Sequence, residues 1–179
     1  MMLKIFVTDL SAYNNGFLLG EWITLPMDKE ELAFKVKIIL GKGEMLCNDS
    51  FHEEYFITDY EFETVDIFSV GEYDNIYTLN EKAQLLEDIE ESEHKLIKFL
   101  FDENIVSSLE EAIEKRDEVI VYENMSMREI AEEYVEENFD LDNLSPLIAN
   151  NIDYNGIAID FEMDGCYTTV DSDTFHYIG

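Results

Sequence analysis

Residues 53–75 read EEYFITDYEFETVDIFSVGEYDN. The core of this stretch, YFITDYEFE at 55–63, is dense in aromatic and β-branched residues with partial alternation, which predicts a strand. A strand here commits the first third of the chain to a sheet. The same stretch carries eight carboxylates and no lysine or arginine. A segment apolar enough to fold, yet left so far out of charge balance, points to charge as the product of the fold.

Working outward, residues 2–9 (MLKIFVTD) and 18–25 (LLGEWITL, ended by Pro26) predict two further strands, and SAYNNG at 11–16 predicts a turn between them. Asp28 with Glu31 starts a helix with apolar Leu32, Val36, Ile39 and Leu40, which Gly41 is expected to stop, leaving 41–54 as loop. Ser69 with Glu72 predicts a second helix start. Val70, Tyr73, Ile76, Tyr77, Leu79, Ala83, Leu86 and Ile89 then recur at helical spacing, with Asn80 as a candidate break. Further helices are expected near Ser92, with Leu96, Ile97, Leu100 and Phe101 on one face, and from Ser108 with Glu111. The remainder predicts a strand at 118–123, a helix from Ser126 with Glu129, helix past Pro146, and a hairpin over 166–178 turning at Ser172 and Asp173.

Strand and helix signals come in separate blocks, so the fold class is α+β. The expected shape is an elongated chain of three small lobes. These are an N-terminal antiparallel sheet plus helix at 1–68, a helical bundle at 69–104, and a mixed α/β lobe with a hairpin at 105–179.

The chain has 179 residues, with 42 acids against 11 bases and a net charge of −31. Charge of that size opposes folding, but Leu, Ile, Val and Phe supply 56 residues, well above the roughly 20% below which disorder is the default. Cys47 and Cys166 stand far apart with no CxxC, which predicts two thiols in a reducing compartment rather than a disulfide. The N-terminal apolar run is too short and too soon acidic for a signal peptide. No apolar run approaches the roughly 18 residues of a membrane span, so a cytoplasmic, soluble protein is expected.

The segment MREIAEEYVEENF at 127–139 places Met127, Ile130, Ala131, Tyr134 and Val135 on one helical face. Glu129, Glu132, Glu133, Glu136 and Glu137 fall on another, at i, i+3, i+4, i+7 and i+8. Like charges at i,i+4 destabilise a helix by about 0.2–0.5 kcal/mol per pair, and the last two sit where the helix dipole disfavours them. Helix stability alone favours lysines. Between Lys42 and Lys82, and again from Glu129 to Gly179, there is no base at all. Ordinary soluble surfaces mix signs.

Duplex DNA carries one charge per roughly 1.7 Å, so 31 charges correspond to about 53 Å of duplex. A compact chain of this length is roughly 40 Å across. The charge density thus approaches that of DNA, and such a surface attracts DNA-binding clefts while repelling DNA itself. The candidate phosphate-mimicking residues are Asp59, Glu61, Glu63, Asp66, Glu72, Asp74, Glu87, Asp88, Glu110, Glu111, Glu114, Glu129, Glu132, Glu133, Glu136 and Glu137.

Other chemistry is poorly supported. His52, His94 and His176 lack partners at ligand spacing and read as surface or partly packed side chains. Asp140, Asp142 and Asn143 faintly resemble a calcium loop without its glycine and terminal glutamate. Trp22 and the tyrosines read as core or lobe-interface residues. No metal, no cofactor, no catalysis and no direct nucleic-acid or membrane binding are expected. The alternatives are mimicry aimed at another nuclease, such as a CRISPR effector, and an acidic binder of basic proteins.

YNNGFLLGEWITLPMD (13–28), ITDYEFE (57–63), SVGE (69–72) and NIDYNGIAIDFEMDG (151–165), in that order, resemble the ArdA family of antirestriction proteins. The resemblance implies a DNA mimic, carried on mobile elements, that occupies the DNA groove of type I restriction-modification enzymes and blocks both modification and cleavage. It also implies a homodimer, with Asp153, Tyr154 and Asp160 in the matching dimerisation region. Many relatives have Ala-Arg-Asp-Leu where this chain has Ala158, Ile159, Asp160 and Phe161, and the loop at 41–53 looks longer than usual.

Overall fold

The computed structural model describes residues 3–48 and 51–179. The expected strand start at Met2 and the acid Asp49 lie outside the described residues. The described chain is mixed α+β, with two three-stranded antiparallel sheets, and divides into two compact units, Met1–Ile113 and Glu114–Gly179.

In the first unit β1 (Leu3–Asp9) is flanked by β2 (Gly20–Leu25) and β3 (Tyr55–Phe62). Alternation decides the buried face: Leu3, Ile5 and Val7 are fully buried, with Ile23, Leu25, Ile57 and Phe62 from the neighbouring strands. Burying each such side chain contributes roughly 1.5–3 kcal/mol. Helix α2 (Lys29–Cys47) closes this face with Leu32, Val36 and Ile39, and α3 (Ile76–Leu85) adds Ile76, Leu79 and Ala83. Helices α4 (His94–Asp102) and α5 (Leu109–Lys115) follow.

Several local expectations change. SAYNNG begins inside a short helix, α1 (Leu10–Asn14), because the Asp9 side chain accepts from the Ala12 N–H and caps it; only Asn15 and Gly16 turn. Helix α2 does not stop at Gly41 but runs to Cys47, where Asn48 adopts the left-handed conformation that ends it. Gly43 is there for close packing: a Cβ would lie 1.9 Å from Asp9 Oδ2 and 2.7 Å from His52 Nδ1. Among the described residues of the expected 41–54 loop, only Asn48 and residues 51–54 are non-helical.

Ser69 and Glu72 do not start a helix. The Glu72 carbonyl accepts from the Ile57 N–H, so this segment runs beside β3, and Asn75 caps α3 instead by accepting from the Tyr77 and Thr78 N–H groups. Asn80 breaks nothing. It is buried within α3, where its side chain accepts from the Met27 N–H at 2.8 Å and donates to the Met27 carbonyl at 2.9 Å.

In the second unit β4 (Val119–Tyr122) and β5 (Tyr167–Val170) flank β6 (Asp173–Tyr177), and the predicted hairpin is present. Helix α6 (Met127–Asn138) is followed by the short α7 (Pro146–Ala149), so helix past Pro146 lasts one turn. A further helix that the pattern did not reveal, α8 (Tyr154–Asp164), packs against α6.

Candidate phosphate-mimicking surface

All sixteen candidate acids are exposed except Glu111 and Glu132, which are half-buried. The structure distributes them over several segments. Asp59 and Glu61 project from the solvent face of β3, in register with Phe6 and Lys4 of β1. Glu63 and Asp66 follow that strand, Glu72 and Asp74 precede α3, Glu87 and Asp88 follow it, and Glu110, Glu111 and Glu114 lie on α5.

Glu129, Glu132, Glu133, Glu136 and Glu137 are the largest group that a single element brings together. Helix α6 buries Ile130, Ala131 and Val135, and the helical repeat turns Glu133 and Glu136 to the opposite side, with Glu137 beside them. The helix start is the predicted reciprocal box. Ser126 Oγ accepts from the Glu129 N–H, and Glu129 Oε2 accepts from the Ser126 N–H at 2.8 Å. The Ser126 hydroxyl also donates to Glu129 Oε2 at 2.7 Å, and this bond, then the one from the Ser126 N–H, holds the exposed Glu129 carboxyl below its usual pKa.

Not every acid is therefore surplus charge. Glu129 caps, Glu132 pairs with Arg128 at 3.0 Å and Glu61 pairs with Lys4 at 3.6 Å. Asp74 accepts from the Gly71 N–H, and Glu111 from the Ser107 N–H. Glu133, Glu136 and Glu137 have no hydrogen bond or ion pair among the described residues, which leaves them as uncompensated, helix-ordered charge. Their field reaches the adjoining sheet: the Tyr122 hydroxyl is raised above its usual pKa by burial, then by Glu133 and Glu137.

The matching dimerisation residues lie on α8. Asp153 is its cap, accepting from the Gly156 N–H at 3.0 Å, Tyr154 is its first residue, and Asp160 is exposed. The same helix exposes Ile159 (54%) and Met163 (80%).

A sequence model of the antirestriction protein (ArdA) family matches residues 5–176. The chain belongs to the ArdA family. No individual curated protein matches it. ArdA proteins are antirestriction proteins, so the family places this chain among inhibitors of restriction rather than among enzymes.

Two histidines of this ArdA chain depart from the sequence reading, and His176 agrees with it. His52 and His94 are buried rather than superficial. His52 Nδ1 lies 2.6 Å from Asp9 Oδ2, with both side chains almost wholly enclosed. His94 pairs through Nδ1 with Thr64 Oγ1 at 3.0 Å, and burial lowers its pKa. His176 is half-buried, stacks on Tyr167 at 4.0 Å, and is likewise lowered by burial. Asp9 was findable, because it continues the inward series Leu3, Ile5, Val7; its partner 43 residues away left no local signal. Trp22 is not core either: it is 47% exposed and packs edge-on against Phe6 on the outer sheet face. Leu141–Asn143 form a single isolated 3-10 turn after Asp140, and no cluster of three metal-ligating side chains occurs among the described residues. Cys47 and Cys166 carry thiols, and no described helix is long and apolar enough to cross a membrane.

Proposed function

We infer that this protein is a DNA mimic that occupies the DNA-binding cleft of type I restriction-modification enzymes and blocks both cleavage and modification in the cytoplasm. The observation that carries the reading is the row Glu133, Glu136 and Glu137. These side chains are ordered by a capped helix, opposed to its buried face, and left without counter-charge. A helix arranged for stability alone would place lysines there. Fixed carboxylates substitute for phosphates, recruit a lysine- and arginine-lined groove through long-range attraction, and pair with its side chains on contact. The other exposed acids extend the charged surface on each unit.

The protein acts as a homodimer through its second unit. That unit holds 17 acids against three bases, yet exposes Leu147 (77%), Ile148 (57%), Ile159 and Met163. Ile159, where many relatives carry arginine, replaces a charged contact with an apolar one. Light scattering reads the dimer directly.

The deciding experiment is competition between the protein and labelled DNA for a purified type I enzyme. DNA is displaced at low salt, and displacement weakens steeply as salt rises, because every contact is an exposed or partly exposed ion pair. DNA binding that survives a large excess of the protein rejects the mechanism.

A further inference from the structure

Two lysines of the first unit lie over aromatic rings of their own chain. The Lys29 ammonium is 5.7 Å from the centre of the Tyr77 ring, and that of Lys82 is 4.7 Å from the centre of Phe68. Between those two rings in sequence stands Tyr73, which is 75% exposed and has no cation over it among the described residues. Tyr73 is nevertheless held in place. Its ring stacks on Phe56 at 6.3 Å with an interplanar angle of 24°, and the buried Phe56 is also met edge-on by Tyr13 at 5.2 Å. The backbone around it is pinned as well. The Ile57 N–H donates to the Glu72 carbonyl at 2.8 Å, the Gly71 N–H donates to Asp74 Oδ2 at 2.8 Å, and Asn75 caps α3. An aromatic ring presented to solvent on a fixed backbone is an ordered platform.

The charge around the platform has one sign. Residues 10–17, 53–56 and 71–75, which supply the three rings, include Glu53, Glu54, Glu72 and Asp74, all exposed, and no lysine or arginine. None of these four acids has an ion-pair partner among the described residues. His52, the nearest base in sequence, is turned inward against Asp9, with its side chain 1% exposed. The face of an aromatic ring attracts cations, and the unneutralised carboxylates beside Tyr73 attract the same charge. Arginine fits such a place better than lysine. Its planar guanidinium lies flat on a ring while its N–H groups remain free to donate to a carboxylate, whereas an ammonium is a compact and strongly hydrated point charge.

We propose that Tyr73 is an arginine-docking site, where a guanidinium from the partner's basic cleft stacks on the exposed ring and donates to Glu72 or Asp74. The proposal rests on the reading of the protein as a ligand of basic clefts, and adds to it a contact made by a ring rather than by a carboxylate. Lys29 and Lys82 show the same pairing satisfied within the chain; at Tyr73 the cation comes from outside.

The test uses the full chain and two labelled peptides of equal charge and length, one with three arginines and one with three lysines, with binding read by fluorescence anisotropy. Tyr73→Leu, which keeps an apolar cover over Phe56, weakens the arginine peptide by roughly two- to fivefold and leaves the lysine peptide nearly unchanged. Tyr73→Phe keeps the ring and keeps the preference. In the unsubstituted protein the arginine peptide shifts the Tyr73 ring protons by NMR more than the lysine peptide does, which locates the contact without any substitution. An arginine preference that persists in Tyr73→Leu, a loss of it in Tyr73→Phe, or Tyr73 ring protons that respond to neither peptide overturns the proposal. Competition with labelled DNA for a type I enzyme separates the two readings. Failure of the parent protein to displace DNA rejects the broader mechanism, whereas displacement together with an arginine preference indifferent to Tyr73→Leu rejects the docking site alone.

Discussion

In the first unit a sheet face of Leu3, Ile5 and Val7 is closed by Leu32, Val36 and Ile39 of one helix and by Ile76, Leu79 and Ala83 of another. In the second, the buried apolar residues are Val119, Ile130, Ala131, Val135, Ala158 and Phe175, and much of the remaining contact is aromatic stacking. Tyr134 meets Phe161 at 5.2 Å, Phe161 meets Tyr167 at 4.9 Å, and Tyr167 meets His176 at 4.0 Å. Both units carry a large excess of acid, but the second does so on a thinner interior. Rigid aromatic rings supply large contact area from few residues, which suits a small unit that must hold charged helices in place.

The two units should differ most at Phe175, on the central strand of the second sheet and 5% exposed. Phe175→Ala costs about 3–5 kcal/mol. With so few other buried side chains, the second unit unfolds while the first keeps its protection, as hydrogen exchange read separately over the two units shows. Uniform loss of protection would instead make the two units one cooperative block.

Next in size is the Asp9 and His52 pair, the most enclosed polar contact of the first unit. His52→Ala leaves Asp9 Oδ2 without its partner in a site that water does not reach, which costs about 3 kcal/mol in urea unfolding. His52→Ala also opens space beside Gly43, so Gly43→Ala becomes better tolerated in that background than alone. Additive costs for the two substitutions would deny that they share a site.

These two sites mark what sequence reveals and what it hides. Strands and their buried faces were legible from alternation in residues such as Leu3, Ile5 and Val7. The α6 cap was legible because Ser126 and Glu129 satisfy each other locally. The extension of α2 was not, because Gly41 reads as a stop and the reason for Gly43 beyond it lies partly on a distant strand. Ser69 and Glu72 copied a helix start that tertiary pairing with Ile57 overrode. Helix α8 was not legible as a separate helix, because the helical reading past Pro146 gave it no start of its own and its start rests on the Asp153 cap. Exposure of the candidate acids was legible, since unpaired carboxylates are rarely buried. Their division into capping, paired and surplus charge was not, because it depends on geometry around each group.

A smaller effect separates the units by pH. Burial lowers the pKa of His176 from its usual 6.5. The unfolded chain therefore takes up the proton first, and the stability owed to the neutral ring is complete above pH 6.5 and declines as pH falls from there through the folded-state value. His176→Phe keeps a ring against Tyr167 and removes this titration. Its unfolding free energy should fall less than that of the parent protein between about pH 7.5 and 5.5. Identical slopes would show that His176 has no part in the decline, leaving His94, lowered by burial in the first unit, to account for it.

The smallest stability change is the most informative about the charged row. Replacing Glu133, Glu136 and Glu137 together with Gln removes the i,i+4 repulsion between Glu133 and Glu137 and disturbs no buried contact, since all three side chains are exposed. The helix gains a few tenths of a kcal/mol. Inhibition moves the other way. Three exposed ion pairs at about 0.2–1 kcal/mol each amount to roughly a tenfold loss of affinity for a basic cleft, largest at low salt. A rise in thermal stability with unchanged inhibition would identify these glutamates as solvating charge. A rise in stability coupled to weaker inhibition would show that the helix retains them against its own folding, as a surface built to be mistaken for phosphates must.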